Sequence, residues 1–216
     1  MEFRDLKRQY NVLKPQIDKA MQEVLASAGF IMGKQVGELE ENLAQYVGTK
    51  HCITCANGTD ALVLALKVLG IGVGDVVFVP DFTFYASAEA VSAVGAIPVF
   101  VDVDKHTFNI DTKDLKLKIQ FVKQLKTYSP KAIMAVDLFG LPAQYDELSA
   151  IARANNLYIV EAGAQGFGGS IGDRMACSFG DIATTSFFPA KPLGCYGDGG
   201  ALFTNNDEWA DMAKSL

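Results

Sequence analysis

The run HCITCANGTDALVLALKVLGIGVGDVVFVP, His51 to Pro80, carries the reading of the fold. It opens on a short apolar segment, turns at Ala56-Asn57-Gly58, continues through twelve residues in which only Asp60 and Lys67 are charged, breaks at glycines, and resumes as VVFV. A β-branched apolar run followed by a helical one and then another apolar run is the pattern of a strand, a helix and a second strand. The helix over 58–69 has almost no polar face, so it is expected to be buried on nearly all sides.

The same rhythm extends downstream. IPVFVDV (97–103), AIMAVDL (132–138), LYIV (157–160), IATTSF (182–187) and ALFT (201–204) read as strands. ASAEAVSAVG, the Lys-rich segment after residue 112, and YDELSAIARANN supply helices between them. Strands that are nearly continuously apolar and alternate with helices specify a mostly parallel sheet of about seven strands, an α/β fold with helices on both faces. In such a sheet, chemistry belongs at the carboxyl ends of the strands. Upstream, Val12, Leu13, Ile17, Ala20, Met21, Val24 and Leu25, and then Val36, Leu39, Leu43 and Val47, recur at three- and four-residue steps. They predict two amphipathic helices within residues 1–47, broken at GFIMGK. The last twelve residues, NNDEWADMAKSL, read as the start of a further helix.

Composition excludes several classes. Of 216 residues, 50% are hydrophobic and 20% charged, and the formal net charge is -6. A chain of this size buries roughly 70% of its unfolded surface in a real core. The acidic balance and the lack of a basic stripe argue against nucleic acid. Lys113 to Lys131 is interleaved with Asp114, Gln120 and Gln124 and reads as a solvated helix face. MEFRDLKRQY has no apolar signal-peptide core, and no apolar run is long enough for a membrane span, so a cytoplasmic protein is expected. Cys52 and Cys55 form a CxxC without a second pair, and the only histidines are His51 and His106. Buried free thiols are the reading, with no metal site.

Motifs narrow the chemistry further. There is no GxxxxGK[ST] and no GxSxG, and neither GIGVGD (70–75) nor GFGGSIG (166–172) has the placement or spacing of a dinucleotide turn. Two stretches remain. In CANGTDAL (55–62) a helix begins after a flexible bend, with free amide hydrogens that could hold a phosphate. The alternative is that Asn57 and Thr59 simply cap a helix. In TTSFFPAKPLGCYGDGG (184–200), Lys191 lies between Pro189 and Pro192 beside Phe187 and Phe188. Desolvation there would lower its pKa and free the amine for Schiff-base chemistry. The alternative is a lysine whose stem packs on the aromatics while its head reaches water.

Taken in order, FRDLKRQY, FIMGKQVGELEENLAQYVG, CANGTDAL, VPDFTFYASAEAVSAVGAIPVFVDVD, AQGFG and TTSFFPAKPLGCYGDGGALFTN resemble the DegT/DnrJ/EryC1/StrS family of nucleotide-sugar aminotransferases, fold type I enzymes using pyridoxal 5'-phosphate. SFFPAKPLGCYGDGG is most similar to members acting on UDP-linked 3-keto sugars, including 3-keto-glucuronic acid derivatives. The resemblance implies that residues 1–216 form the cofactor-binding large domain, that a small carboxyl-terminal domain lies beyond them, and that the protein works as a homodimer. It implies amino transfer from glutamate to a UDP-keto sugar in polysaccharide precursor synthesis.

By the same resemblance Lys191 bonds the cofactor's aldehyde and moves the proton. Gly58, Thr59 and Ser186 hold its phosphate, Phe84 stacks on its ring, and Gln165 lies near the ring's phenolic oxygen. Core packing is the alternative for Phe84. In EAGAQ (161–165), Ala162 stands where relatives carry the aspartate that keeps the pyridine nitrogen protonated. Glu161, one residue earlier in an extended segment, faces the other way. The implication is slowed transamination. Two other functions stay open at this point: a catalytically inactive paralogue or fragment acting as a binding or regulatory subunit, and a sugar dehydratase using the cofactor's amine form, against which Lys191 counts.

Overall fold

A computed structural model describes residues 5–216, so the first residues of the amino-terminal expectation lie outside it. Seven helices are described: α1 (Leu6–Ser27), α2 (Lys34–Val47), α3 (Gly58–Val68), α4 (Ala86–Ala93), α5 (Thr112–Leu125), α6 (Tyr145–Asn155) and α7 (Asp207–Ser215). The strands are β1 (His51–Cys55), β2 (Asp75–Pro80), β3 (Ile97–Val101), β4 (Ser129–Val136), β5 (Tyr158–Ala162), β6 (Ser170–Ile171), β7 (Arg174–Met175), β8 (Ile182–Ser186) and β9 (Gly200–Thr204).

Seven strands form one sheet in the order β1-β9-β8-β5-β4-β2-β3, and β6 and β7 pair as a small separate hairpin. Strands β8, β5, β4, β2 and β3 run parallel, whereas β9 is antiparallel to both of its neighbours, β1 and β8. Two reversals restore direction, so β1 runs with β8. The carboxyl ends of six strands and the amino end of β9 therefore meet along one edge. The parallel strands are buried through their length: Val76 to Val79 and Ala132 to Ala135 are at most 1% exposed. That is why their sequences lack polar alternation.

The pleat sends alternate residues to two cores. Val77, Val79, Met134, Val160, Ala162, Ile182 and Leu202 pack under α3, α4 and α7. Phe78, Ile133, Ala135 and Ile159 pack against Leu115, Ile119 and Leu148 of α5 and α6. Leu43, Ala44 and Val47 of α2 cover Cys52, Ala183 and Phe203. As expected, α3 is exposed only at Asp60 and Lys67. Lys113, Lys116 and Lys123 project from the solvated side of α5, with Lys116 Nζ donating to Glu147 Oε1 at 2.8 Å.

Three readings need correction. The apolar stripe of α1 buries nothing: Val12, Met21 and Leu25 are exposed, and no residue of the helix is classed as buried. Periodicity specifies a helix but not a partner for its face. Strand β4 begins three residues earlier than the apolar run, at Ser129, because Pro130 falls at an irregular register step opposite Val76, where a missing N–H is tolerated. Its expected last residues, Asp137 and Leu138, leave the strand for a 3-10 turn over Leu138–Gly140, and the IPVFVDV strand ends at Val101. None of the described helices is long and apolar enough to cross a membrane.

Candidate active site

The common strand edge gathers what the sequence singled out. Helix α3 starts where β1 ends, with Asn57 as its cap: Asn57 Oδ1 accepts from the Asp60 amide at 2.8 Å, and Asn57 Nδ2 donates to Asp60 Oδ2 at 2.9 Å. The capping alternative for Asn57 is thus realised. It leaves the amides of Gly58 and Thr59 at a helix N-terminus, where the macrodipole favours an anion. Gly58 lies hard against β8: a Cβ on it would sit 2.5 Å from Ser186 Cβ and 3.0 Å from Ser186 Oγ. Only a residue without a side chain lets the bend and the serine meet. Gly58, Thr59 and Ser186 therefore share one small region, a cradle of amides and hydroxyls suited to a phosphate.

Beyond Ser186 the chain loops out over residues 187–199 and returns as β9, with Ser186 and Gly200 as register partners. The Phe187 amide donates to Gly199 O and the Cys195 amide to Phe187 O, both at 2.7 Å, which close the base of this loop. Lys191 rides at its outer part, half-buried, with its own amide bonded to Phe188 O at 2.8 Å. Its collar is one-sided: Phe187 is 7% exposed but Phe188 is 53% exposed. Asp5, Leu6 and Gln9 of the α1 start line a recess of about 430 Å³ with Pro189, Lys191 and Gly194. Tyr10 meets Tyr196 edge to face at 6.1 Å, so α1 attends the lysine loop rather than the core.

Phe84 stands in the connection from β2 to α4. At 57% exposure it is not core, which removes the packing alternative; its ring lies 4.5 Å from that of Tyr85. In the turn after β5, Gln165 Oε1 accepts from the Phe139 amide at 2.9 Å. Phe139 is held at φ 56°, an uncommon value for a bulky side chain. Ala162 ends β5 with its methyl toward the α3 side, while Glu161 points to the opposite face, as the alternation requires.

Two acids that the sequence reading did not use lie below this edge. Asp137 and Glu161 are both fully buried. Asp137 Oδ1 accepts from the Ala143 amide at 3.0 Å and from Tyr145 Oη at 2.7 Å. Glu161 accepts from the amides of Cys177, Phe179 and Gly180, the latter two at 2.7 and 3.0 Å. Burial pushes both carboxyls above their usual range, Glu161 against the opposing pull of its three amides. A signal existed: Asp137 is the only charge in AIMAVDL. The cysteines are free; burial raises the thiol of Cys52 strongly and that of Cys55 to about 11, the mark of unreactive packing.

The site's chemistry can be tested against a pyridoxal-type cofactor. The amide-and-hydroxyl cradle suits the phosphate, and the loop lysine suits an aldehyde. At the ring-nitrogen position implied by the resemblance, Ala162 offers only a methyl. The donor set fits two of the three ends.

Comparison with known proteins gives the family and the fold. The model of the DegT/DnrJ/EryC1/StrS aminotransferase family matches residues 11–216. The UDP-2-acetamido-2-deoxy-3-oxo-D-glucuronate aminotransferase of Pseudomonas aeruginosa is 46% identical over 216 residues, covering 100% of this chain and 58% of its own. The crystal structure of a DegT DnrJ EryC1 StrS aminotransferase from Brucella abortus superposes with a TM-score of 0.98 at 48% identity, covering 100% of this chain and 58% of that one. NtdA from Bacillus subtilis, solved with bound cofactor PMP, has a TM-score of 0.84 at 30% identity, covering 94% of this chain and 44% of that one. The chain thus spans between 44% and 58% of the length of these relatives.

Proposed function

The chain belongs to the DegT/DnrJ/EryC1/StrS aminotransferase family, and we propose that it is the cofactor-binding part of an aminotransferase that moves an amino group from glutamate to a UDP-linked 3-keto sugar, acting as a homodimer. The observation that carries this reading is the meeting of Gly58 with Ser186 at the head of α3, five residues before the half-buried Lys191. A phosphate cradle between the ends of β1 and β8, with an amine in the loop that follows β8, suits a pyridoxal 5'-phosphate enzyme.

Each residue then has a task. The amides and hydroxyl of Gly58 and Thr59, with Ser186 Oγ, bind the phosphate and fix one end of the cofactor. Phe84, exposed in the connection after β2, would cover one face of the ring and exclude water from it. Gln165 orients the ring from the side of its phenolic oxygen. The cofactor, when bound, supplies an electron sink for the carbon that gains or loses the amine. Lys191 Nζ would hold the cofactor through its amine and would serve as the acid and base for the proton at that carbon. Ala162 gives no anionic partner to the ring nitrogen, so the sink is weakened and turnover slowed.

Reduction with borohydride after incubation with pyridoxal phosphate, followed by peptide mapping, tests the assignment. A modified Lys191 is expected; a label elsewhere, or none, overturns it. Two alternatives are separated by product. A chain that takes the label but forms no aminated sugar is a binding or regulatory subunit, and dehydrated, unaminated sugar identifies a dehydratase.

A further inference from the structure

Asp137 and Glu161 pose a problem of proton count. Asp137 Oδ1 already accepts from two donors, whereas Asp137 Oδ2 is buried and receives none. The register of β4 with β5 pairs Ala135 with Glu161, which sets the Glu161 carboxyl beside Asp137, two residues on. Two acceptors cannot bond to each other without a proton between them, and two buried anions side by side would repel. The three amides donated to Glu161 single it out as the ionised member. The spare oxygen of Asp137 is then the acid. The other titratable groups facing the pair are Tyr145 from α6 and Cys177 from the segment before β8, with Cys52 behind the latter. Burial raises the pKa of all three, so they stay neutral.

We propose that Asp137 and Glu161 share one proton, carried on Asp137 Oδ2 and donated to Glu161, and that this bond positions the 163–166 turn bearing Gln165. The turn rests directly on the pair. A Cβ on Gly166 would lie 2.5 Å from Asp137 Cβ, and one on Gly163 would lie 3.7 Å from Asp137 Oδ2. The Asp137 amide bonds to Ala162 O at 3.2 Å, and two residues on, the Phe139 amide holds Gln165. Losing the proton would place two anions beneath the turn and loosen that contact. The value of Gln165 to a cofactor rests on the function proposed above; the shared proton does not.

The sign follows from linkage. Above about pH 5 the unfolded chain has released both carboxyl protons, while the native pair keeps one until it titrates. Native stability from this pair is therefore greatest at acid pH and falls as pH rises, about tenfold in the folding equilibrium constant per pH unit. Asp137→Asn keeps an acceptor for Ala143 and Tyr145 and carries a permanent N–H toward Glu161. Glu161→Gln instead turns an amide toward three backbone donors.

Denaturant unfolding of the full chain at several pH values between about 5 and 7 tests the proton. The ratio of the D137N folding constant to that of the unsubstituted chain should climb about tenfold per pH unit, and E161Q should be weaker throughout. A flat ratio, or E161Q tolerated where D137N is not, overturns the proposal. Hydrogen exchange at the Phe139 amide tests the positioning without any cofactor. Its protection, corrected for intrinsic rate, should fall with pH in the unsubstituted chain and hold in D137N; identical profiles refute it. Pyridoxal phosphate binding enters neither measurement, so failure of the proposed function would leave both readable.

Discussion

Replacing Gly58 with alanine puts the proximity of the α3 head to β8 to a quantitative test. The added Cβ would lie 2.5 Å from Ser186 Cβ and 3.2 Å from Ser186 Cα, against the roughly 3.5–4.0 Å at which carbon atoms rest. The obstacle is the root of a side chain inside a paired strand, so rotation about χ1 does not relieve it; α3 or β8 has to shift. Overpacking of this kind costs about 1–3 kcal/mol. Alanine is favoured over glycine in helices by at most about 1 kcal/mol, and less at a first position, so the clash should win by about 1–2 kcal/mol. For a chain of this length that is a fall of about 2–8 °C in Tm. Thermal and urea unfolding of G58A give the loss, and pyridoxal phosphate titration gives the effect on the cradle, expected to weaken with it. The double variant G58A/S186G, which removes the obstructing Cβ, should recover most of the lost stability. If G58A matches the unsubstituted chain in both stability and binding, or if the second substitution rescues nothing, the bend and the serine do not meet as described.

Ala162→Asp should act in opposite directions with and without cofactor. Alone, a carboxyl placed on the apolar side of β5 should cost about 1–3 kcal/mol; with pyridoxal phosphate, the gain in Tm should exceed that of the unsubstituted chain, and turnover should rise. Equal ligand-induced shifts in the two chains would remove Ala162 from the cofactor's surroundings. Asn57→Ala, which deletes the α3 cap, should cost about 1 kcal/mol in urea unfolding and weaken phosphate binding, since the same first turn serves both. Asp207 accepts from Lys50 and from His51 Nε2 at 2.6 Å, and these bonds hold its carboxyl below the usual range. Its stabilising effect is therefore present above the ordinary carboxylate pKa and lost as pH falls through the depressed one. The stability difference between D207N and the unsubstituted chain should shrink on acidification below about pH 4, and a difference that grows there would contradict the contact.

Much of the fold could be read because burial writes itself into composition. VVFV, AIMAVDL and IATTSF carry almost no charge since helices cover both faces, and their order of alternation with helices points to a mostly parallel sheet. What composition does not encode is adjacency. Nothing in ALFT says that β9 inserts between β1 and β8 and runs against them, and nothing in the α1 stripe says that it stays exposed while Leu6 and Tyr10 meet the lysine loop. The two-residue strands β6 and β7 are too short to carry a period. At the site, Gly58 and Asn57 were legible from helix-start chemistry. Ser186 and Phe84 were reached by resemblance, and the structure puts the first against Gly58 and the second out of the core. The roles of Asp137 and Glu161 were hidden because their meaning is a relation across strands, between residues distant in sequence, and only the register of β4 with β5 brings them together.

The hairpin from β8 to β9 ties the lysine loop to the sheet at one point. Because Ser186 faces Gly200 across the ladder and the Phe187–Gly199 bond seals the neck, the intervening residues form a closed module whose two ends are a single anchorage. Its interior can lengthen, shorten or be exchanged without dragging either strand out of alignment. Variation inside the module would then retune the reach of the amine, whereas variation at its neck would disturb the whole sheet.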